Sequence, residues 1–297
     1  MELQIAILAI SFFTLSILLP PVLDGIERKI KAKIQSRIGP PTLLQTWYDI
    51  VKLLSKELRV PRGAELVLAT VLTAFIASIC LVASLSYVIS SITMEPLALA
   101  LIIVLAIAVH TLSILIASGT SNPFALIGGF RAIALGIVNE VGLFMAISLA
   151  AYSAYIYAVS PSPKALMSLC IAIVMLLLST YVASGRIPYD IHEAEPELAA
   201  GALIELGGPA LGIYLYSHFI ERFALKAIAS YLILYPSIKT LGSQLFIIAV
   251  LGLTVLLYIS YAILSAILGR TRVDLGVKFL LFSYSLTAIL WVLVWLV

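Results

Sequence analysis

Charged residues are scarce in this sequence. Only 11% of the 297 residues are Asp, Glu, Lys or Arg, and 62% are hydrophobic, whereas a soluble globular domain is about a quarter charged. This composition excludes a protein that is soluble alone. The formal charge of +3 does not imply a nucleic-acid partner.

The motifs of redox and hydrolytic chemistry are also missing. The two cysteines, Cys80 and Cys170, lie inside apolar runs, without a C-x-x-C pair or a Cys/His cluster. No dinucleotide fingerprint, phosphate loop, nucleophile triad or metal-ligand spacing occurs. We therefore predict no catalytic residue, metal site or cofactor in this chain, so any electron donor must be held by partner subunits.

Long apolar runs fill the chain instead. A run of about 20 apolar residues crosses a bilayer as a helix, which satisfies every backbone polar group in lipid. We predict an all-α polytopic membrane protein, a single transmembrane domain over residues 1–297. The eight predicted spans lie near residues 3–23, 65–91, 97–117, 132–158, 165–184, 200–224, 243–268 and 279–297.

The basic residues predict the orientation, since Lys and Arg favour cytoplasmic loops. One set of alternate loops holds fourteen of the 18 Lys and Arg residues. These loops are 24–64, 118–131, 185–199 and 269–278. The four basic residues on the other side are Lys164, Arg222, Lys226 and Lys239. We predict a cell-membrane protein with both termini outside and a long cytoplasmic first loop.

The first loop, residues 24–64, is the one sizeable polar region. Its stretch 48–57 alternates polar and apolar residues at helical spacing, as an interfacial helix does. The loop is interpreted as a docking surface for a partner. A basic loop held by anionic lipid head groups is the alternative.

Acidic residues concentrate in the second half of the chain. Five of the fifteen acids fall within residues 190–205: Asp190, Glu193, Glu195, Glu197 and Glu205. Glu197 and Glu205 are spaced to share one helical face. A carboxylate within a membrane is costly, so it normally faces a bundle interior or a water-filled cavity, where protons can exchange. This cluster is predicted to carry protons or ions.

Other polar residues in the spans extend or balance this set. Glu140, beside Asn139 in the fourth span, is a further candidate for the path. Arg131 and Arg186 are the cations available to tune the acids, although simple pairing of acids with arginines to lock helices together is an alternative. The surplus of acids favours a proton-carrying or interaction role. His110 is interpreted as a satisfied interior residue.

Three ordered motifs resemble the H subunit of complex I, the family of NADH dehydrogenase subunit 1. The first runs from Glu27 to Pro40 (ERKIKAKIQSRIGP) and continues with Leu44-Gln45, Asp49, Lys52 and Lys56-Glu57. The second comprises Ser121-Asn122, the run Gly129-Phe130-Arg131-Ala132, and Glu140. The third is the run 186–198 (RIPYDIHEAEPEL), followed by Gly201 and Glu205.

The resemblance implies a membrane subunit that docks a peripheral redox module and couples electron transfer to H⁺ or Na⁺ pumping. The docking residues would be Arg28, Arg37, Asp49 and Lys52. The ion path would comprise Glu140, Asp190, Glu193, Glu195, Glu197, Glu205 and His218, the last standing where a further acid is expected. Arg131 and Arg186 would tune it. Expected partners are cytoplasmic redox subunits with iron-sulfur clusters or a nickel-iron site, antiporter-like and small membrane subunits, and lipid.

Loop length indicates the branch of the family. Only three residues separate Gly39-Pro40 from Leu44-Gln45, as in membrane-bound hydrogenases and sulfane reductases, whereas quinone-reducing members carry a longer stretch. A quinone-site subunit of an NADH- or F420H2-type dehydrogenase is the alternative within the family. A stand-alone ion transporter is the alternative from another class, and neither the ion nor the terminal acceptor follows from the sequence.

Overall fold

The computed structural model describes residues 2–58, 65–92, 94–118, 122–190, 203 and 206–296. These residues are almost entirely helical, which confirms the predicted all-α class. The helices are α1 (Glu2–Leu18), α2 (Pro20–Ile34), α3 (Gln45–Leu54), α4 (Glu65–Ser91), α5 (Pro96–Ser118), α6 (Pro123–Val159), α7 (Pro163–Ala183), α8 (Gly208–Leu234), α9 (Ile238–Ile267) and α10 (Val273–Leu296), with a 3₁₀ turn at Tyr235–Ser237.

The described residues contain six or seven candidate membrane spans, whereas eight were predicted. Within the described ranges, six helices are long and apolar enough to cross a membrane: α4, α5, α6, α7, α9 and α10. Helices α1 and α2 meet at a bend of 44° and raise the number to seven if the pair is one broken span. Helix α8 is 27 residues long but carries Glu221, Arg222 and Lys226. Length and composition alone therefore do not confirm a count of eight.

The bend between α1 and α2 is stabilised by side chains from other helices. Pro21 has no N–H to donate to the carbonyl of Ile17, so the helical ladder is interrupted there. The Tyr216 hydroxyl of α8 donates to the Ile17 carbonyl at 3.1 Å, and Trp47 Nε1 of α3 donates to the Leu18 carbonyl at 3.3 Å. The bend therefore joins α1, α3 and α8.

Helix α8 lies at the centre of the bundle. It contacts each of α1 to α7 and also α9, and all its residues from Ser217 to Leu232 are buried. The predicted span of 200–224 was therefore wrong at its end, and Arg222 and Lys226 do not lie in an outer loop. Hydropathy ends a span at charged residues, whereas surrounding helices here supply polar partners for them.

The first loop folds back onto the bundle. Helix α3 confirms a helical segment in the region predicted to contain one, and it packs on α2 and α8. Two glycines permit this approach: a Cβ at Gly25 would overlap the Leu43 carbonyl, and one at Gly212 would lie 3.1 Å from Leu53 Cβ. Close backbone contact thus fixes the loop against the polar centre of the molecule.

Candidate functional site

Two groups of ionisable side chains lie inside the bundle. The arginine cluster consists of Asp24, Glu27, Lys31 and Arg186, beneath the first loop. The histidine cluster consists of His110, His218 and Glu221, between α5 and α8. Helix α8 touches the helices that carry both clusters, and its own charged residues lie beside them.

Arg186 is the centre of the arginine cluster. It lies in the loop after α7, and its guanidinium contacts the Glu27 carboxylate and lies 3.8 Å from Asp24 Oδ1. Glu27 is 2% exposed and Asp24 is 7% exposed. Lys31 Nζ lies 2.8 Å from Glu27 Oε1, one helical turn away. The cluster is therefore a buried ion-pair network, in which losing one partner leaves an uncompensated charge.

Two contacts of Arg186 were not predicted. We assigned this arginine to the acids that follow it in the sequence, which stays a prediction, and among the described residues it contacts Asp24 and Glu27 of α2. A signal was present, because Asp24, Glu27 and Lys31 are spaced by three and four residues and so share one helical face. That face was interpreted as part of an exposed docking loop, although it is turned into the bundle.

Glu221 joins the two imidazoles of the histidine cluster. Its carboxylate is fully buried, with Oε1 3.3 Å from His110 Nδ1 and Oε2 3.2 Å from His218 Nδ1. His218 was predicted to belong to the path, and the structure places it against this acid. Glu221 was missed because it stood at the predicted end of a span. His110 is an interior residue, as interpreted, and Glu221 is its polar partner.

Glu140 of α6 lies close to this cluster, where α6 meets α5. Its Oε1 accepts a hydrogen bond of 3.0 Å from Thr111 Oγ1, and Thr111 directly follows His110. Its neighbour Asn139 is buried and accepts a bond of 2.6 Å from the Tyr284 hydroxyl of α10. Arg131 precedes Glu140 by nine residues, or two and a half turns, so the two side chains leave opposite faces of α6.

A small cavity with a few polar side chains in a mostly apolar wall adjoins the histidine cluster. Its volume is about 50 Å³, enough for about three or four water molecules. Polar side chains of its wall are His110, Ser113, Asn139, Tyr189, Tyr214 and His218. Tyr189 lies in the loop after α7, where burial raises the pKa of its phenol and keeps it a neutral donor. The cavity thus connects the histidine cluster with the loop that leads to Asp190.

Only the first acid of the acidic segment lies among the described residues. Asp190 Oδ2 is 3.0 Å from Arg270 Nη2, so Arg270 is a second base beside these acids that was not predicted. Glu193, Glu195, Glu197 and Glu205 lie outside the described residues, and their roles stay predictions. Within the part of the chain that the structure describes, no group of three or more His, Cys, Asp and Glu side chains could hold a metal.

The predicted docking residues lie at the surface of the first loop. Arg28 Nη1 pairs with Asp49 Oδ2 at 3.0 Å, and both side chains are about half exposed. Arg37 hydrogen-bonds Gln35, and Lys52 is exposed in the last turn of α3. Large apolar side chains are exposed around them, including Ile38, Tyr48 and Val51. The loop therefore presents a mixed basic and apolar surface.

Comparison with known proteins decides the family. Residues 5–296 match the family model described as NADH dehydrogenase. The chain belongs to this family. It is 30% identical over 239 residues to the H subunit of the NADH-quinone oxidoreductase of Geobacillus kaustophilus (strain HTA426), covering 74% of this chain and 71% of that protein.

The chain is also similar in sequence to a hydrogenase component and in fold to a chain of a respiratory complex. The chain is 29% identical over 221 residues to hydrogenase-4 component C of Escherichia coli (strain K12), with 70% of this chain and 69% of that protein covered. It is similar in structure to a chain of the membrane-bound sulfane sulfur reductase, an archaeal respiratory membrane complex. The TM-score is 0.75 at 21% identity, over 97% of this chain and 99% of that one. This likeness shows the shared fold, and these relatives are subunits of multi-subunit membrane respiratory complexes.

Proposed function

We propose that this chain is the membrane subunit of a complex-I-like respiratory complex, in which it docks the redox module and couples electron transfer to H⁺ or Na⁺ pumping. The observation that carries the proposal is the series of buried ionisable residues across the bundle. Glu27 and Arg186 lie on the inner side of the first loop, and the buried Glu221 and the partly buried Glu140 lie on α8 and α6. The predicted acids of residues 190–205 would connect these two regions.

The two clusters have the chemistry that coupling requires. A buried carboxylate changes its proton occupancy when a nearby charge changes, because the interior screens charges weakly. Helix α8 passes beside both clusters and is held on nearly all sides by other helices. A charge change at the arginine cluster can thus bias the protonation of the histidine cluster, as in a two-state network.

The surface of the first loop fits the docking role. Lys52, Arg37 and exposed apolar residues lie on the same loop whose buried side carries Asp24 and Glu27. A protein partner on the outer side would therefore sit close to the arginine cluster. The orientation with this loop in the cytoplasm and both termini outside belongs to the proposal.

The hydrogenase or sulfane reductase type is the branch we favour. The short linker from Gly39-Pro40 to Leu44 supports this choice, since Leu43 is held directly against Gly25 of α2. The linker thus closes α3 tightly onto α2. In this branch the peripheral module would hold iron-sulfur clusters or a nickel-iron site, and antiporter-like membrane subunits would complete the complex.

A quinone-reducing complex is the second candidate. It is favoured by the 30% identity to a subunit of an NADH-quinone oxidoreductase. Extraction of the purified complex and identification of any bound quinone would distinguish the two branches. Either branch leaves the coupling role of the buried acids unchanged.

The coupling role is tested by replacing Glu140 or Glu221 with glutamine in the assembled complex. Glutamine keeps the size of the side chain and removes its exchangeable proton. Because the path would be interrupted, we expect the number of ions moved per electron to fall by more than half while electron transfer continues. Ion uptake by membrane vesicles, measured together with donor oxidation, gives this ratio.

The matched control is Glu65→Gln at the exposed start of α4. It removes the same charge outside the bundle, so the ratio should stay at the wild-type value. An unchanged ratio in both Glu140→Gln and Glu221→Gln would refute the coupling role.

A further inference from the structure

Lys226 is a buried lysine that belongs to neither the arginine cluster nor the histidine cluster. It lies in the middle of α8 and is 1% exposed. Among the residues that the structure describes, no carboxylate lies within ion-pair distance of its Nζ; its hydrogen-bond acceptors are a hydroxyl and a backbone carbonyl. Such a lysine is unusual, because burying an ammonium without an acid partner is costly.

The hydrogen bonds of Lys226 match those of a neutral amine. Nζ lies 2.8 Å from Ser184 Oγ and 3.1 Å from the Arg222 carbonyl. The Ser184 hydroxyl donates to the Thr180 carbonyl at 2.7 Å, so its oxygen must accept from the lysine. A neutral amine has two N–H donors, whereas an ammonium has three. Both donors of the neutral form therefore have acceptors.

The same position also suits the ammonium. Nζ lies 4.7 Å from the ring centroid of Tyr258 and 5.1 Å from that of Tyr261, both on α9. These are cation–π distances, at which an aromatic face stabilises a desolvated cation. The third N–H of the charged form would thus face π electrons. The surroundings accommodate both protonation states.

Charged neighbours can shift the equilibrium between the amine and the ammonium of Lys226. Arg186 lies over the same Tyr258 ring, with Cζ 5.9 Å from the centroid, and it is the residue that Glu27 and Asp24 hold. Within the described part of the chain, the ionisable groups whose charge acts on Lys226 include Glu27 of α2, Arg186 of the loop after α7, and Glu221 and Arg222 of α8. A proton gained or lost at Glu27 therefore changes the field at Lys226.

We propose that Lys226 is a proton-exchanging residue of the coupling path, which alternates between amine and ammonium as the charge of the arginine cluster changes. The inference rests on the proposed coupling function. In the release step one N–H bond of the ammonium breaks, the electron pair stays on Nζ, and the proton passes to water. The reverse step restores the ammonium.

The direct test is a titration of the lysine side chains in the purified complex. The chain is labelled with ¹³C-lysine, and the Cε signal absent from the Lys226→Arg variant is assigned to Lys226. We expect this signal to shift between about pH 5 and 9, because a buried lysine can change its protonation state in this range. A Lys226 signal that stays constant over this range would overturn the proposal.

A functional test separates proton exchange from a fixed structural charge. Lys226→Arg is permanently charged and Lys226→Met is never charged, so we expect both to lower the ions moved per electron by more than half. Lys164→Met, at an exposed position, should leave the ratio unchanged. A wild-type ratio in the arginine variant would identify a fixed cation, and one in the methionine variant would identify packing alone; either contradicts the proposal.

The outcomes distinguish failure of the coupling function from failure of the proposed role of Lys226. If the Glu140→Gln and Glu221→Gln variants pump normally, the coupling function fails, whatever Lys226 does. If those variants lose pumping but the Lys226 signal does not titrate, only the present inference fails. The titration is made on the native lysine, and where the arginine variant does not assemble, the methionine variant serves to assign the signal.

Discussion

Helices α8 and α10 are similar in length but differ in almost every other respect. Helix α8 has 27 residues, contacts eight other helices and carries three charged residues in its buried half. Helix α10 has 24 residues, packs mainly on α6 and α7, and buries Gly276, Leu280 and Tyr284. The more polar helix is thus the more deeply buried one.

The bilayer explains this inversion. Lipid chains are as apolar as leucine, so an apolar helix gains little by leaving lipid for the protein interior. A charged residue gains a great deal, because only the interior offers it partners. Burial in this molecule therefore follows the need for polar partners, and α10 can remain at the edge.

The largest expected effect comes from breaking the polar centre. Arg186→Met removes the base that Glu27 and Asp24 contact, which leaves two buried carboxylates partly uncompensated. We expect the free energy of unfolding to fall by about 3–5 kcal/mol. Reversible unfolding of the purified chain in mixed detergent measures the change.

The matched control is Arg28→Met, which breaks an ion pair of the same type at the surface. Its cost should be about 0–1 kcal/mol. Equal losses in the two variants would show that burial does not distinguish the pairs.

A medium effect is expected where α10 meets α6. A Cβ at Gly142 would overlap the ring of Tyr284, so Gly142→Ala must push the two helices apart. Overpacking of this kind costs about 1–3 kcal/mol, and the same unfolding measurement detects it. Gly252→Ala on α9, where nothing lies within 4 Å, should not destabilise the chain, because alanine favours a helix more than glycine does; a comparable loss there would show that the overlap with Tyr284 is not the cause.

The smallest effect is expected on the outer face of α10. Phe282 is 66% exposed there, and we predict that Phe282→Ala changes the free energy of unfolding by no more than about 0.5 kcal/mol. The purified complex should also keep all its membrane subunits on size-exclusion chromatography. Loss of a subunit would show that this face contacts a partner and would remove the contrast with α8.

Hydropathy predicted most of the helices because lipid imposes a simple rule on each segment. The runs that became α4, α5 and α7 were predicted to within a few residues. The predicted end of helix α8 came about ten residues too early. The reason is that Glu221, Arg222 and Lys226 resemble loop residues when their segment is considered alone. The partners of Glu221 and Lys226 come from α5, α9 and the loop after α7.

The candidate site shows the same division. Glu140, Asp190 and His218 were predicted from the cost of polar groups in a membrane and from the family motifs. Glu221 and the buried roles of Asp24 and Glu27 were not, because each lies in a segment whose local pattern is ordinary. The pairing of Arg186 with α2 joins residues that are 159 positions apart.

The sequence by itself determined that this chain is a helical membrane protein of the NADH dehydrogenase family, because composition, span length and ordered motifs are properties of the chain alone. Only the tertiary structure decided which charges are buried and which acid each base contacts. The reason is physical: an ionised side chain is tolerated in the bundle only where distant segments bring it a partner. Glu221, which stood at the predicted end of a span and is held by His110 of α5, is the clearest case.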